Sequence, residues 1–250
     1  EQMLRTDFTV PVVQMHMAHG AEPACYTYAG EVFRRQEDDP DRASEYVQVG
    51  FEIFERTAPD DADARVFSVI HDILKPLDLR AATGDIGILM AAVDGLRTAE
   101  RRKRALRRHI WRPGRFRALL DRYSGRAPVP ESRAALLARS DPMRGTAPLI
   151  GLRSEEEILS RIGALREDAA DDPVSEMEVS LIDAILAVRE TSDNALERLR
   201  DIAVDMPTIS GAVERLTRRL DALDARGIDI SALDFEGSYG RTHMEYYDGF

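Results

Sequence analysis

The stretch Tyr46-Val-Gln-Val-Gly-Phe-Glu-Ile-Phe54 alternates between two sets of side chains, and the rest of the chain is interpreted outward from it. Such alternation is typical of a β-strand, whose successive side chains point to opposite faces. Gln48 and Glu52 therefore share one face, while Val47 and Val49 lie on the other. A second β-type run at 24–29 lies before an acidic, proline-containing turn region, so the sequence predicts a strand–loop–strand hairpin.

The segments around this hairpin alternate between strand and helix patterns. A run of β-branched residues at 9–13 predicts another strand, and apolar residues at helical spacing predict a helix over 60–74. A short strand near 79–83 and a helix over 85–96 follow. The first part of the chain is therefore expected to have an α/β character.

From Thr98 to Met206 the pattern is helical almost throughout, with two capping boxes that begin helices at Ser154 and Ser175. Another helix is expected over 209–226, after which β-like alternation returns. We therefore predict a sheet domain from 1–97 and 227–250, with a helical subdomain inserted at 98–226. Because the chain starts at Glu1 and ends in an aromatic segment at Phe250, we expect a piece of a longer protein whose sheet domain is incomplete at both ends.

Composition excludes several classes of protein. Hydrophobic residues make up 44% of the 250 residues, which is enough for a buried core. The longest apolar run is Ile86–Val93, too short for a membrane span or a secretory signal, so we expect a cytoplasmic protein. The single cysteine, Cys25, cannot form an internal disulfide or a cysteine-based zinc site, and we expect it to be a small buried or half-buried apolar residue.

Charge is distributed unevenly along the chain. The net charge is −11, yet residues 97–126 contain 12 basic and 2 acidic residues. This basic block, with Trp111 and Phe116 interleaved, could bind phosphate or RNA. Because the rest of the chain is strongly acidic, a solvated helix face or a contact to an acidic partner subunit is the favoured interpretation.

Three short stretches carry residues suited to binding a small polar ligand. Asp7 and Thr9 are two residues apart, so on a strand both would face an ammonium group, although from spacing alone an Asx-type turn cap is the favoured interpretation. Arg34 lies across the predicted hairpin from Gln48 and Glu52, where it could hold a carboxylate or simply form cross-strand pairs. Tyr246 and Tyr247 would point to opposite faces of a strand and could equally be core and rim aromatics.

A metal site is a weaker interpretation. His16 and His19 are three residues apart, a spacing that could bind a metal on a helix. No third ligand is apparent, so surface or packing roles are favoured for both histidines, and we predict neither a metal nor a cofactor.

In order and type, the three stretches resemble the catalytic domain of the class II histidyl-tRNA synthetases. The resemblance rests on Leu-Arg-Thr-Asp-Phe-Thr at 4–9, Phe-Arg at 33–34 and Tyr-Tyr at 246–247. It implies an α+β fold with an antiparallel sheet flanked by helices and a helical insertion. Any one of these motifs would be weak evidence, whereas three in the correct order are specific.

Departures from the synthetase motifs favour a related family. The synthetases have Leu-Arg-Pro-Glu-Gly-Thr at the first motif, whereas the regulatory subunits of ATP phosphoribosyltransferase have Leu-Arg-Pro-Asp-Phe-Thr. This chain has Asp7 and Phe8, although Thr6 replaces the proline, and so resembles the second pattern. The loop after Arg34 is acidic, with Asp38-Asp-Pro-Asp41, where ATP and tRNA binding require cations. Thr242 stands where the synthetases carry an arginine that acts on the activated carboxyl group. We therefore expect neither catalytic residues nor tRNA binding.

The resemblance implies a histidine pocket and a regulatory role. Asp7 and Thr9 would meet the α-amino group, Arg34 the carboxylate, and Gln48 the backbone end of the ligand. Glu52 and one of the tyrosines 246 and 247 would meet the imidazole. The protein would associate with itself and with a short-form catalytic subunit, would be required for the first step of L-histidine biosynthesis, and would confer feedback inhibition by histidine. The alternative is a divergent histidyl-tRNA synthetase.

Overall fold

The computed structural model describes residues 4–35, 41–145 and 150–239. These residues form two compact units, the first drawn from 4–81 and 215–233 and the second from 82–214 and 234–239. Each unit is described by itself. The predicted boundary between a sheet domain and an insertion at 98–226 stays a prediction.

The first unit is built on the hairpin that the sequence predicts. Strands β1 (Ala24–Phe33) and β2 (Glu45–Phe54) pair antiparallel, with Ala24 opposite Phe54 and Phe33 opposite Glu45. The predicted parity is confirmed, since Gln48 and Glu52 lie on one face of the hairpin. The even-numbered residues of β1, such as Tyr26 and Tyr28, lie on the same face. This face is called the Glu52 face below. On the opposite face Val47 and Val49 are 63% and 75% exposed.

Helix α1 (Thr9–His19) corrects one prediction. The β-branched run at 9–13 was expected to be a strand, and it forms the first half of this helix instead. Val12 and His16 are both buried and are one helical turn apart, so packing of one face outweighs the local preference for a strand. Pro11 is compatible with the helix because it lies in the first turn. Backbone N–H groups there have no intrahelical acceptor, so the N–H that proline lacks is not missed.

Two further helices complete the first unit. Helix α2 (Pro59–Leu74) matches the predicted bounds closely, and α10 (Ser210–Asp224) belongs to this unit from Arg215 onward. Arginines of α10 and of the turn after it form ion pairs with the first turns of α2: Arg218 with Asp60, Arg219 with Asp63, and Arg226 with Asp61. The register between these two helices is thus fixed by charge as well as by packing.

The second unit is mainly helical with a small sheet. Strands β3 (Ala82–Thr83), β4 (Arg189–Thr191) and β5 (Asp234–Glu236) form a sheet in which β5 is central, parallel to β3 and antiparallel to β4. The helices are α3 (Ile86–Gly95), α4 (Glu100–His109), α5 (Pro113–Tyr123), α6 (Glu131–Leu137), α7 (Glu155–Ala170), α8 (Glu176–Leu186) and α9 (Ser192–Asp205). The sequence missed β4 because three residues are too few to show a period of two.

The two predicted capping boxes differ in the structure. At α8 the Ser175 hydroxyl accepts from the Glu178 N–H, and the Glu178 carboxylate accepts from the Ser175 N–H, which completes the box. At α7 only half of the box forms, because Ser154 accepts from the Glu157 N–H without a described return bond. Within the described residues, none of the helices has both the length and the apolar composition that crossing a membrane requires.

Several arginines of the basic block at 97–126 form ion pairs inside the second unit. Arg102 on α4 is only 4% exposed and donates to the Asp168 carboxylate at 2.9 Å and to the Asp172 carbonyl at 2.6 Å. Arg122 on α5 also pairs with Asp168, and Arg126 binds Glu176 at 2.6 Å. The two favoured interpretations, a solvated helix face and a contact to a partner subunit, are therefore wrong for these arginines. They join α4 and α5 to α7 and α8.

Candidate functional site

Three of the predicted site residues come together on the Glu52 face. Glu52 lies on β2 opposite Tyr26, and Thr9, the first residue of α1, hydrogen-bonds to its carboxylate. Asp7 is near enough for its negative charge to act on Glu52. Tyr246 and Tyr247 lie outside the described residues, as do Thr242 and most of the acidic loop.

The environment of Glu52 disfavours its charged form. Burial raises the pKa of Glu52 above the ordinary value, and the nearby charge of Asp7 adds to the effect. Hydrogen bonds from Thr9 and Tyr28 oppose this shift without cancelling it. A cation placed between the two carboxylates would remove the penalty, so this end of the face is suited to an ammonium or a protonated imidazole.

Two side-chain acceptors on this face lack partners. Glu52 Oε1 and Gln48 Oε1 are both buried from solvent and have no hydrogen-bond partner within the described part of the chain. Leaving a buried polar atom unpaired costs about 1–3 kcal/mol, so such atoms usually meet a donor in the functional state. Both orphaned atoms belong to residues that the sequence predicted for the site, and a ligand with N–H groups would satisfy them.

Arg34 is not in direct contact with this group. It follows the end of β1, and its Nε donates to the Thr6 carbonyl at 2.9 Å. This bond holds the guanidinium beside the peptide that leads into Asp7. Arg5 makes a matching contact, since its Nε and Nη2 donate to the Glu31 carbonyl at 3.1 and 2.9 Å. The segment that carries Asp7 is thereby fastened to β1 at two points.

Tyr28 is a member of the site that sequence reasoning missed. Its hydroxyl group hydrogen-bonds to Glu52, and its ring lies over Gly50, where an added Cβ would overlap the ring. Gly50 is therefore needed for close approach of the ring rather than for a turn. The signal was present in the sequence, because an antiparallel hairpin places Tyr28 directly opposite Gly50, on the same face as Glu52.

His16 closes the other end of the face as a packing residue, which confirms the favoured interpretation of this histidine. Its ring stacks on Phe54 with centroids 3.8 Å apart, and Nδ1 lies 3.1 Å from the Tyr26 hydroxyl. The side chain of His19 lies outside the described part of the structure. The described residues include no group of three or more histidine, cysteine, aspartate or glutamate side chains placed to bind a metal ion.

The prediction for Cys25 is wrong. It was expected to be a small buried or half-buried residue, but the structure shows it exposed on the face of the hairpin opposite to Glu52, paired with Ile53. Val49 on the same face is exposed too.

Comparison with known proteins gives consistent results at the level of the family. A sequence profile described as histidyl-tRNA synthetase matches residues 2–147. The ATP phosphoribosyltransferase regulatory subunits of Brucella canis and Brucella abortus are each 30% identical to this chain in an alignment that is 267 residues long with its gaps and covers 98% of the chain and 69% of each relative.

A solved structure supports the fold. The crystal structure of an ATP phosphoribosyltransferase regulatory subunit/histidyl-tRNA synthetase from Bacillus halodurans superposes with a TM-score of 0.60 at 20% identity, covering 98% of this chain. The chain spans about half of that protein, 52% of its length. The predicted mixed α/β fold of the class II synthetase type is confirmed. On the profile match and the 30% identity over nearly its whole length, the chain belongs to the ATP phosphoribosyltransferase regulatory subunit family, whose fold is that of the histidyl-tRNA synthetases.

Proposed function

We propose that this chain is the histidine-binding part of a non-catalytic regulatory subunit of ATP phosphoribosyltransferase. In this role it is required for the first step of L-histidine biosynthesis and confers feedback inhibition by histidine. Its partners are a short-form catalytic subunit and further copies of itself, and its location is the cytoplasm. The names of the 30% identical relatives support the regulatory role.

The observation that carries the histidine assignment is the pair of carboxylates with orphaned acceptors. Asp7, Thr9 and Glu52 converge at one end of the Glu52 face, and Gln48 and Glu52 each leave a buried oxygen without a described partner. Histidine supplies what this arrangement lacks, because it carries both an ammonium group and an imidazole N–H on a compact frame.

The ligand is oriented by the charges around it. The α-amino group meets Asp7 and Thr9, and the imidazole meets Glu52, together with one of the tyrosines 246 and 247. The carboxylate is directed to Arg34, whose bond to the Thr6 carbonyl holds the guanidinium next to Asp7. Gln48 binds the backbone end of the ligand. Because coupling is reciprocal, a histidine that weakens substrate binding by the partner must itself bind more weakly when substrate is present.

The second candidate function is that of a divergent histidyl-tRNA synthetase. The match of the histidyl-tRNA synthetase profile to residues 2–147 favours it. Phe8 in place of a glycine, the acidic loop at 38–41 and Thr242 in place of an arginine oppose it. Loss of one preorganised charge-stabilising group alone typically lowers the rate by about 10²–10³.

One assay separates the two candidates. The natural full-length protein is mixed with a short-form catalytic subunit, and formation of phosphoribosyl-ATP is followed with and without histidine. Stimulation of the catalytic subunit that histidine then suppresses is the expected result. Absence of stimulation, with histidine-dependent exchange of pyrophosphate into ATP by the chain alone, would establish the synthetase instead.

A matched pair of variants tests the site itself. Glu52→Gln removes the charge that faces the imidazole and should weaken histidine binding by roughly 10- to 100-fold, since a hydrogen bond to a charged group contributes about 1.5–3 kcal/mol. Glu45→Gln is the control, because Glu45 lies on the same strand but faces the opposite side and is exposed. Titration calorimetry of the full-length protein with L-histidine measures both. Equal affinities in wild type and both variants would place histidine elsewhere.

A further inference from the structure

A stack of three side chains occupies the middle of the Glu52 face. The rings of Phe8 and Tyr28 are stacked with centroids 4.7 Å apart and an angle of 12° between their planes. The Arg5 guanidinium lies 4.0 Å from the centre of the Phe8 ring. Phe8 is therefore held by an aromatic contact and a cation–π contact at the same time.

This stack fills the space above Gly30. A Cβ added at Gly30 would lie 2.9 Å from Phe8 Cζ and 3.2 Å from Arg5 Nη2. Contacts that close mean that the ring rests directly on the backbone of β1. At Gly50, across the hairpin, the Tyr28 ring occupies the equivalent space. The two glycines thus make room for protein rings, and no open floor for a ligand is left at either of them.

The position of the stack limits the length of a ligand. The stack begins beside Glu52, because the Tyr28 hydroxyl group hydrogen-bonds to that carboxylate and the Tyr28 ring covers Gly50, which is two residues or about 7 Å along the strand from Glu52. A free histidine is only about 7 Å long on standard bond lengths. A histidine bound at Asp7 and Glu52 therefore lies directly against the stack, with its carboxylate turned toward the guanidinium groups.

The orientation of the ligand follows from the same charges. Asp7 and Glu52 repel a carboxylate, whereas Arg5 and Arg34 attract it. Any group attached to that carboxylate would extend toward the Phe8 ring and the Arg5 guanidinium above Gly30. The segment that leads into Phe8 is held in place, because Arg5 is bound to the Glu31 carbonyl and the Thr6 carbonyl is bound to Arg34.

We propose that Phe8 determines the ligand specificity of this site, so that it accepts free histidine and excludes histidine whose carboxyl group is extended, such as a histidyl adenylate. The inference rests on the proposed function, since it takes histidine as the ligand. It adds a discrimination that the regulatory role does not require, namely between the free amino acid and its activated form. Phe8 also positions Glu52, because it stacks on the ring whose hydroxyl group hydrogen-bonds to that carboxylate.

The test compares two ligands on the natural full-length protein. Titration calorimetry measures L-histidine and the non-hydrolysable adenylate analogue 5′-O-[N-(L-histidyl)sulfamoyl]adenosine. The wild type should bind the analogue at least 10-fold more weakly than histidine. Phe8→Gly should bring the analogue to the affinity of histidine or tighter, while histidine itself changes by less than about 10-fold. Phe8→Ala is the second variant, should the glycine substitution impair folding as judged by circular dichroism.

The control variant is Phe51→Ala, which also removes a phenylalanine from the hairpin but on the opposite face, where Phe51 lies near Arg65. It should leave the ratio of the two affinities unchanged. A wild type that binds the analogue as tightly as histidine would overturn the inference, as would an unchanged ratio in folded Phe8 variants. In both cases the proposed function survives, because histidine still binds. Absence of histidine binding to the wild type would overturn the proposed function, and this inference with it.

Discussion

At the scale of single residues, the protonation state of Glu52 links ligand binding to the stability of the folded chain. Its pKa is raised chiefly by burial, so the folded chain holds a proton that the unfolded chain releases at a lower pH. The free energy of unfolding therefore falls as the pH rises from the ordinary pKa of glutamate through the raised value. Above that window the charge is present in the folded state and is compensated only when a cationic ligand binds.

Glu52→Gln should therefore be at least as stable as the wild type at pH 7 without ligand, although it binds histidine less well. The advantage should disappear below the ordinary pKa of glutamate, where Glu52 is protonated in both the folded and unfolded chains. Urea denaturation at pH 4, 5.5 and 7 measures the difference, with Glu45→Gln as the exposed control. A variant that is less stable than the wild type at pH 7 by more than the control would show that the charge of Glu52 stabilises the free protein.

At the scale of the element, the N-terminal ends of α7 and α8 differ in how many capping hydrogen bonds they form. Ser175 at α8 belongs to a full capping box, and its partner Glu178 is buried and also accepts from the Arg97 N–H at 2.7 Å. Burial works to raise the pKa of Glu178, but the hydrogen bonds from Arg97 and Ser175 outweigh it and lower the pKa. Ser154 at α7 makes a single capping bond at an exposed position.

Ser175→Ala should destabilise the protein by about 1–2 kcal/mol and Ser154→Ala by about 0.5–1 kcal/mol, because the first substitution also removes a hydroxyl donor to a buried carboxylate. Urea denaturation of the two variants in the full-length protein provides the comparison. Equal losses would mean that the bond from the Ser175 hydroxyl group to the Glu178 carboxylate contributes nothing beyond the cap itself.

At the scale of the whole molecule, the basic block at 97–126 and the acidic residues that follow it in the sequence form ion pairs with each other inside the second unit. Asp168 on α7 binds both Arg102 of α4 and Arg122 of α5. Burial works to raise the pKa of Asp168, but the hydrogen bonds from these two arginines outweigh it and hold the pKa below its ordinary value. Three helices that are distant in sequence are therefore joined through one carboxylate.

Asp168→Ala should lower the free energy of unfolding by about 3 kcal/mol at pH 7, since it removes the carboxylate that the buried Arg102 guanidinium binds at 2.9 Å and leaves only that of Asp171 at 3.8 Å. Because the pKa of Asp168 is lowered in the folded state, the difference from the wild type should shrink as the pH falls through that lowered value. Glu156→Ala on the exposed side of α7 is the control and should cost at most about 0.5 kcal/mol. Denaturation by urea across the acidic pH range decides, and a loss no greater than that of the control would contradict the prediction.

Local patterns in the sequence determined those parts of the structure that depend on neighbours along the chain. The parity of β2 fixed that Gln48 and Glu52 share a face, and helical spacing fixed α2 and most helices of the second unit. The motifs at 4–9, 33–34 and 246–247, taken together in their order, predicted the family, because each is short and contiguous.

Only the tertiary structure decided what depends on distant partners. Residues 9–13 became helical because Val12 and His16 are buried on one side of α1, and the arginines of the basic block became internal ion-pair partners because carboxylates of α7 and α8 lie beside them. Phe8 was visible in the sequence as a departure from a motif, but its effect on the site depends on the ring of Tyr28 and on the missing side chain at Gly30. These outcomes depend on the free energy of packing and of charge pairing between segments far apart in sequence, which no local pattern contains.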